Sequence, residues 1–99
     1  MRIIAKKTLV EYGRTYADSR ASVMDWYLLM KRCTAANLAE LRQTFPTADL
    51  VGQGNKQTCF NIKGNHYRLI VQIIYQAQVV YINEFLTHAD YTKKYCGGR

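Results

Sequence analysis

The chain is expected to fold as an α+β domain, with helices first and a mainly antiparallel sheet of three to four strands last, the helices packed on one face of that sheet. Three observations predict it. Apolar residues recur at three- and four-residue spacing before Phe45, and the spacing changes to two-residue alternation after Thr58. The turn-forming runs Lys63-Gly64-Asn65 and Tyr75-Gln76-Ala77-Gln78 then cut the second half into segments of strand length.

Taken in order, Arg2 to Ala5 reads as a short first strand, and Lys7 to Tyr16 carries Leu9, Val10 and Tyr16 without alternation, which favours a short helix. Asp18 or Ser19 is placed to cap the next helix, where Val23, Trp26, Tyr27 and Met30 make a buried stripe and Asp25, Lys31 and Arg32 lie off it. Asn37 opens a third helical piece, with Glu40 three residues on as in a capping box and Leu38 and Leu41 as its apolar contacts. Phe45-Pro46 ends it. Asp49 to Gln57, with Gly52, Gly54 and Asn55, reads as a mobile loop; its Gly-x-Gly lacks the Lys-Ser/Thr and the strand-helix context of a phosphate loop.

In the strands that follow, Tyr67, Leu69, Val71 and Ile73 share one face, while His66, Arg68 and Gln72 fall on the other, because strand side chains alternate. The first face is expected to build core and the second to lie open. Thr87 then caps a last short helix from about His88 to Lys94, with Asp90 at its third position. Residues 1–95 are expected to form one domain, and Cys96-Gly97-Gly98-Arg99 a flexible tail.

Lys and Arg number 14 against 7 Asp and Glu, a formal charge of +7 on 99 residues, which makes a polyanion or an acidic protein the expected partner. There is no run of eighteen apolar residues and no signal-peptide pattern, so a cytoplasmic protein with no membrane contact is expected. Cys33, Cys59 and Cys96 are odd in number and widely spaced, which argues for three reduced thiols and against a disulfide framework or a zinc site. No metal or cofactor is expected.

The chemistry-bearing residues gather at the open face. His66 and Arg68 are two apart on one strand, Lys63 stands at the adjoining hairpin, Thr87 and His88 arrive at the end of the last strand, and Tyr91 follows three residues later. Attack of a ribose 2′-hydroxyl on its own phosphate needs a proton acceptor, a proton donor and cations, with no metal required in principle. On this reading His88 gives or takes the proton, Tyr91 assists as donor or stacking ring, and Arg68 with Lys63 holds the phosphate. The competing reading is a module whose basic sheet face binds RNA or the ribosome without cutting it; Arg68 and Lys63 serve that equally well.

The segment Phe60-Asn-Ile-Lys-Gly-Asn-His-Tyr-Arg-Leu-Ile-Val, with Val80-Tyr-Ile and Thr87-His-Ala-Asp-Tyr after it, resembles the HigB family of type II toxins, relatives of the RelE-like ribonucleases. The resemblance implies a RelE-like fold and an mRNA interferase that cuts transcripts, often on the translating ribosome. It also implies a helix-turn-helix antitoxin of the HigA type as inhibitor, in a toxin-antitoxin hetero-oligomer. Lys63, Arg68, Thr87, His88 and Tyr91 fall on the motif, with Arg68, His88, Lys63 and Tyr91 as the implied catalytic set. Lys63, His66, Arg68, Thr87, Lys93 and Lys94 are the RNA-binding candidates. Two positions depart from the pattern: Asn83 stands where members often have a basic residue, and His66 occupies a variable, often basic hairpin position.

Overall fold

The computed structural model describes residues 1–96. Strand β1 (Arg2–Ile4) leads into helices α1 (Lys6–Thr15), α2 (Arg20–Arg32) and α3 (Leu38–Thr44). Strands β2 (Asp49–Val51), β3 (Gln57–Ile62), β4 (Tyr67–Ile74) and β5 (Val79–Thr87) follow, and α4 (His88–Tyr91) continues as a wider π turn over Thr92–Cys96. The strands form one sheet in the order β1-β5-β4-β3-β2, antiparallel except for the parallel pair of β1 and β5. The class is therefore α+β, with five strands instead of three to four and a mixed sheet.

The additional strand is β2, which falls within the segment expected to be a loop. Its three residues are too few to show alternation, and Gly52 (φ +80) and Gly54 (φ +72) directly after it dominate the local signal. Asp49 pairs with Cys59 and Val51 with Gln57, so β2 covers the outer edge of β3. The helix starts also divide. Asn37 caps α3, its Oδ1 accepting from the Glu40 amide at 2.9 Å, while Glu40 Oε1 accepts from the Ala36 amide at 3.0 Å. Asp18 and Ser19 do not cap α2: the Ser19 hydroxyl donates to the Tyr16 carbonyl at 2.7 Å, and Asp18 reaches across to the sheet.

The alternation in β4 has the consequence expected of it. Tyr67, Leu69, Val71 and Ile73 pack toward the helices, joining Leu9, Val23, Trp26, Met30 and Leu41 with Phe60, Ile62, Val80 and Phe85 in one cluster. Each fully buried Leu or Phe in it contributes about 1.5–3 kcal/mol through apolar burial. The other face is not simply open. Val51, Cys59 and Ile70 form a second, smaller cluster, and Leu86, Tyr91 and Tyr95 pack onto it. So α1 to α3 lie on one face, and α4 with its π turn lies on the other. A four-residue helix followed by Tyr95 four residues past Tyr91 carries too little apolar periodicity to reveal which side it covers. Cys96 closes that turn, and residues 97–99 of the expected tail lie outside the described residues.

Candidate active site

The site is built where the β3–β4 hairpin meets the start of α4. Lys63 and Gly64 adopt left-handed backbone (φ +52 and +62), and this turns the Lys63 carbonyl back to accept from the His66 amide at 3.2 Å. Thr87 pairs with Tyr67, and the His88 amide donates to the His66 carbonyl at 2.9 Å, which carries the ladder one residue beyond the strand end. The Thr87 hydroxyl oxygen accepts from the Asp90 amide at 3.2 Å, so the chain turns into α4 directly after the strand. His66 and His88 thereby line one cleft of about 440 Å³ with Asn65, Thr87 and Ala89.

Arg68 stands behind that cleft. Alternation in β4 sends it to the face under Tyr91, where it is only 7 % exposed rather than on an open strand surface. Nη1 donates to the carbonyls of Asn65 (3.1 Å) and Tyr67 (3.2 Å), and Nη2 donates to Asn65 Oδ1 (2.7 Å) and to His88 Nδ1 (3.1 Å). The guanidinium carbon lies 5.3 Å from the centre of the Tyr91 ring. These partners offset the cost of burying a cation. They also occupy donors that a bound phosphate would use, so the arrangement suits Arg68 to holding His88 more than to gripping phosphate.

The other candidates divide between the site and the scaffold. Lys63 directs its ammonium to the helix side, 2.9 Å from Asp18 Oδ2, and the Tyr67 hydroxyl donates to Asp18 Oδ1 at 2.7 Å. Hydrogen bonds from Tyr67 first and Lys63 second hold the Asp18 carboxyl below its usual range. Tyr91 points its phenol toward the thiols of Cys59 and Cys96; burial first, then those thiols, pushes its pKa up to about 12. It therefore stays protonated at neutral pH and faces away from proton acceptance. Lys94 pairs with Glu84 at 2.8 Å, and Lys93 is exposed in the same turn. Asn83 is the extra residue of a bulge, since Glu84 pairs with Ile70 and Ile82 with Val71; its amide donates to Gln57 Oε1 at 3.3 Å.

Asn65 escaped the sequence reading, which treated it as turn chemistry alone. Its position three residues before an arginine, across a tight hairpin, was the available signal. Among the described residues, no group of three or more His, Cys, Asp or Glu side chains is arranged to hold a metal ion. No described helix is long and apolar enough to cross a membrane.

Comparison with known proteins extends these features to a family. The model of the HigB toxin family, described as the RelE-like toxic component of a toxin-antitoxin system, matches residues 19–94. The mRNA interferase toxin HigB of Escherichia coli (strain K12) is 24% identical over 91 residues, covering 92% of this chain and 88% of that protein. The proteins named mRNA interferase HigB from Escherichia coli O157:H7 and Shigella flexneri match to the same extent. The chain belongs to the HigB toxin family of RelE-like toxic components.

Proposed function

We infer that this chain is an mRNA interferase, an endoribonuclease that cuts mRNA by attack of the 2′-hydroxyl on the adjacent phosphate. The observation that carries the reading is the His66/His88 cleft with the buried Arg68 guanidinium against the back of His88. Two imidazoles at a cleft, with a cation fixed behind one of them, support a metal-independent phosphodiester cleavage by proton acceptance and hydrogen-bond donation. Relatives that cover most of the chain carry the name mRNA interferase, which supports the same reaction class. The substrate in this reading is mRNA on the translating ribosome, reached in the cytoplasm.

The test is cleavage of ribosome-bound mRNA by folded Arg68→Ala and His88→Ala proteins, read as new 5′ ends. Losses on the order of a hundredfold are expected for each. Near-normal cutting by both would overturn the site, and RNA protection without new ends would put the non-catalytic binding module ahead.

The +7 charge suits an acidic or amphipathic inhibitor, in this reading a HigA-type helix-turn-helix antitoxin that forms a hetero-oligomer with the toxin. Co-expression with an adjacent helix-turn-helix gene is expected to restore growth and yield a co-purifying complex. Failure of both would remove the antitoxin from the proposal.

A further inference from the structure

The two histidines share a cleft but meet opposite partners. His66 Nδ1 lies 3.0 Å from the Lys63 carbonyl oxygen, and a carbonyl only accepts. In the neutral ring the proton therefore sits on Nδ1, and Nε2 carries the lone pair. His88 Nδ1 lies 3.1 Å from Arg68 Nη2, and a guanidinium only donates. There the lone pair sits on Nδ1, and Nε2 carries the hydrogen. From this we propose that His66 is the proton acceptor of the RNA-cleaving site and His88 its hydrogen-bond donor, each fixed in its tautomer by the fold.

The fixing groups are themselves restrained. The left-handed backbone at Lys63 aims one carbonyl at both the amide and the ring of His66. Arg68 is clamped by the Asn65 side chain at 2.7 Å and by two carbonyls, with the Tyr91 ring on it. Asn65 and Arg68 are thus positioning residues, acting through His88. The His88 amide bonded to the His66 carbonyl ties the two backbones together at 2.9 Å. A neutral imidazole that serves as donor while its other nitrogen is held by a fixed group is an established catalytic device.

The step balances with water as the only co-reactant. His66 Nε2 takes the 2′-hydroxyl proton as the O2′–P bond forms and the P–O5′ bond breaks, leaving a 2′,3′-cyclic phosphate. The departing 5′ oxygen accepts a hydrogen bond from His88 Nε2–H and takes its proton from a water molecule. The hydroxide so formed removes the proton from the His66 imidazolium and restores the starting state. His88 keeps its proton throughout, so its ring need not become cationic beside Arg68. The assignment rests on the ribonuclease reading above.

Two measurements test it. Long-range ¹H–¹⁵N spectra of the folded protein, recorded with both rings neutral, are expected to show His66 as the Nδ1–H tautomer and His88 as the Nε2–H tautomer. Arg68→Met removes the donor and is expected to release His88 into a mixture of tautomers while leaving His66 unchanged. In RNA cleavage, glutamine presents an amide N–H near the Nε2 position but cannot take a proton. His88→Gln is therefore expected to recover most of the rate that His88→Ala loses, whereas His66→Gln is expected to lose on the order of a hundredfold. A shared tautomer, the reverse pair, or near-normal cutting by His66→Gln would overturn this assignment alone. A wild-type protein that cuts no RNA would overturn the ribonuclease reading and the assignment with it.

Discussion

Leu69 and Ile70 are neighbours in β4, both fully buried, and they belong to different worlds. Leu69 enters the large cluster under α1 to α3, where helix and strand side chains interlock on all sides. Ile70 enters a small cluster with Val51 and Cys59, closed over, among the described residues, by Leu86 and the rings of Tyr91 and Tyr95. The difference shows how one sheet divides its labour. The helix-covered face supplies stability and lies away from the candidate site, while the lid over the other face carries His88 at its start and clamps Arg68 under Tyr91. Burial pushes the Cys59 thiol up to about 11 against the opposing effects of the Tyr91 hydrogen bond and the Arg68 charge, so it packs here as a small neutral side chain. On the proposed function, packing on the small face is part of the site.

The largest effect expected from this division is on stability at the helix face. Leu69→Ala should cost about 3–5 kcal/mol, since a rigid, fully enclosed position cannot collapse around the cavity. Against the 5–15 kcal/mol typical of a whole domain, that brings the protein close to unfolding. Urea denaturation measures it, and activity per folded molecule should stay normal. A loss below about 1 kcal/mol would break the claim that this face holds the fold.

Ile70→Ala sharpens the contrast. Its cluster is smaller and its lid is free to settle, so about 2–3 kcal/mol is expected, the lower part of the range for such truncations. The lid would settle with Tyr91, however, and Tyr91 holds Arg68 against His88. RNA cleavage per folded molecule should fall roughly tenfold to a hundredfold, because small displacements of a catalytic group are costly. Equal activity in the two variants would separate the small cluster from the site.

How much of this was legible in the sequence follows the same boundary. The helix-facing alternation of Tyr67, Leu69, Val71 and Ile73, the stripe Val23, Trp26 and Met30, and the Asn37 and Thr87 caps all rest on periodicity or on contacts three residues away, and those the chain displays directly. The order of the sheet, with β1 parallel to β5, depends on pairing across most of the chain, which no local pattern encodes. The meeting of His66, Arg68 and His88 at one end was readable from strand alternation and the hairpin, but the direction of each side chain was not. Lys63 turned to Asp18 because a partner distant in sequence decided its direction; alternation set the face of Arg68, but the Tyr91 ring that covers it there is distant in sequence and no local pattern displays it.

The smallest expected effect lies at the edge of the lid. The Tyr95 hydroxyl donates to Glu84 Oε2 and Lys94 pairs with Glu84 Oε1, which ties the π turn to β5. Burial pushes the Glu84 carboxyl upward, but the hydrogen bonds from Lys94 and Tyr95, with the Lys94 charge, outweigh it and leave the group below its usual range. A carboxyl depressed in the folded state stabilises the protein above its unfolded pKa, about 4.3. That contribution is lost as pH falls through the lower folded value. Tyr95→Phe removes one of the groups that favour the carboxylate, so the folded pKa should move back upward. At neutral pH the variant should be about 1 kcal/mol less stable, the usual size of one hydrogen bond, or somewhat more because its acceptor is charged. Below the carboxylate range the two proteins should converge, since a protonated Glu84 gives the hydroxyl no anion to hold. Urea midpoints from pH 7 down to pH 3 measure this. No difference at any pH in that range would show that Tyr95 holds the lid through ring packing alone, and a constant difference that the hydroxyl acts without help from the carboxylate's charge.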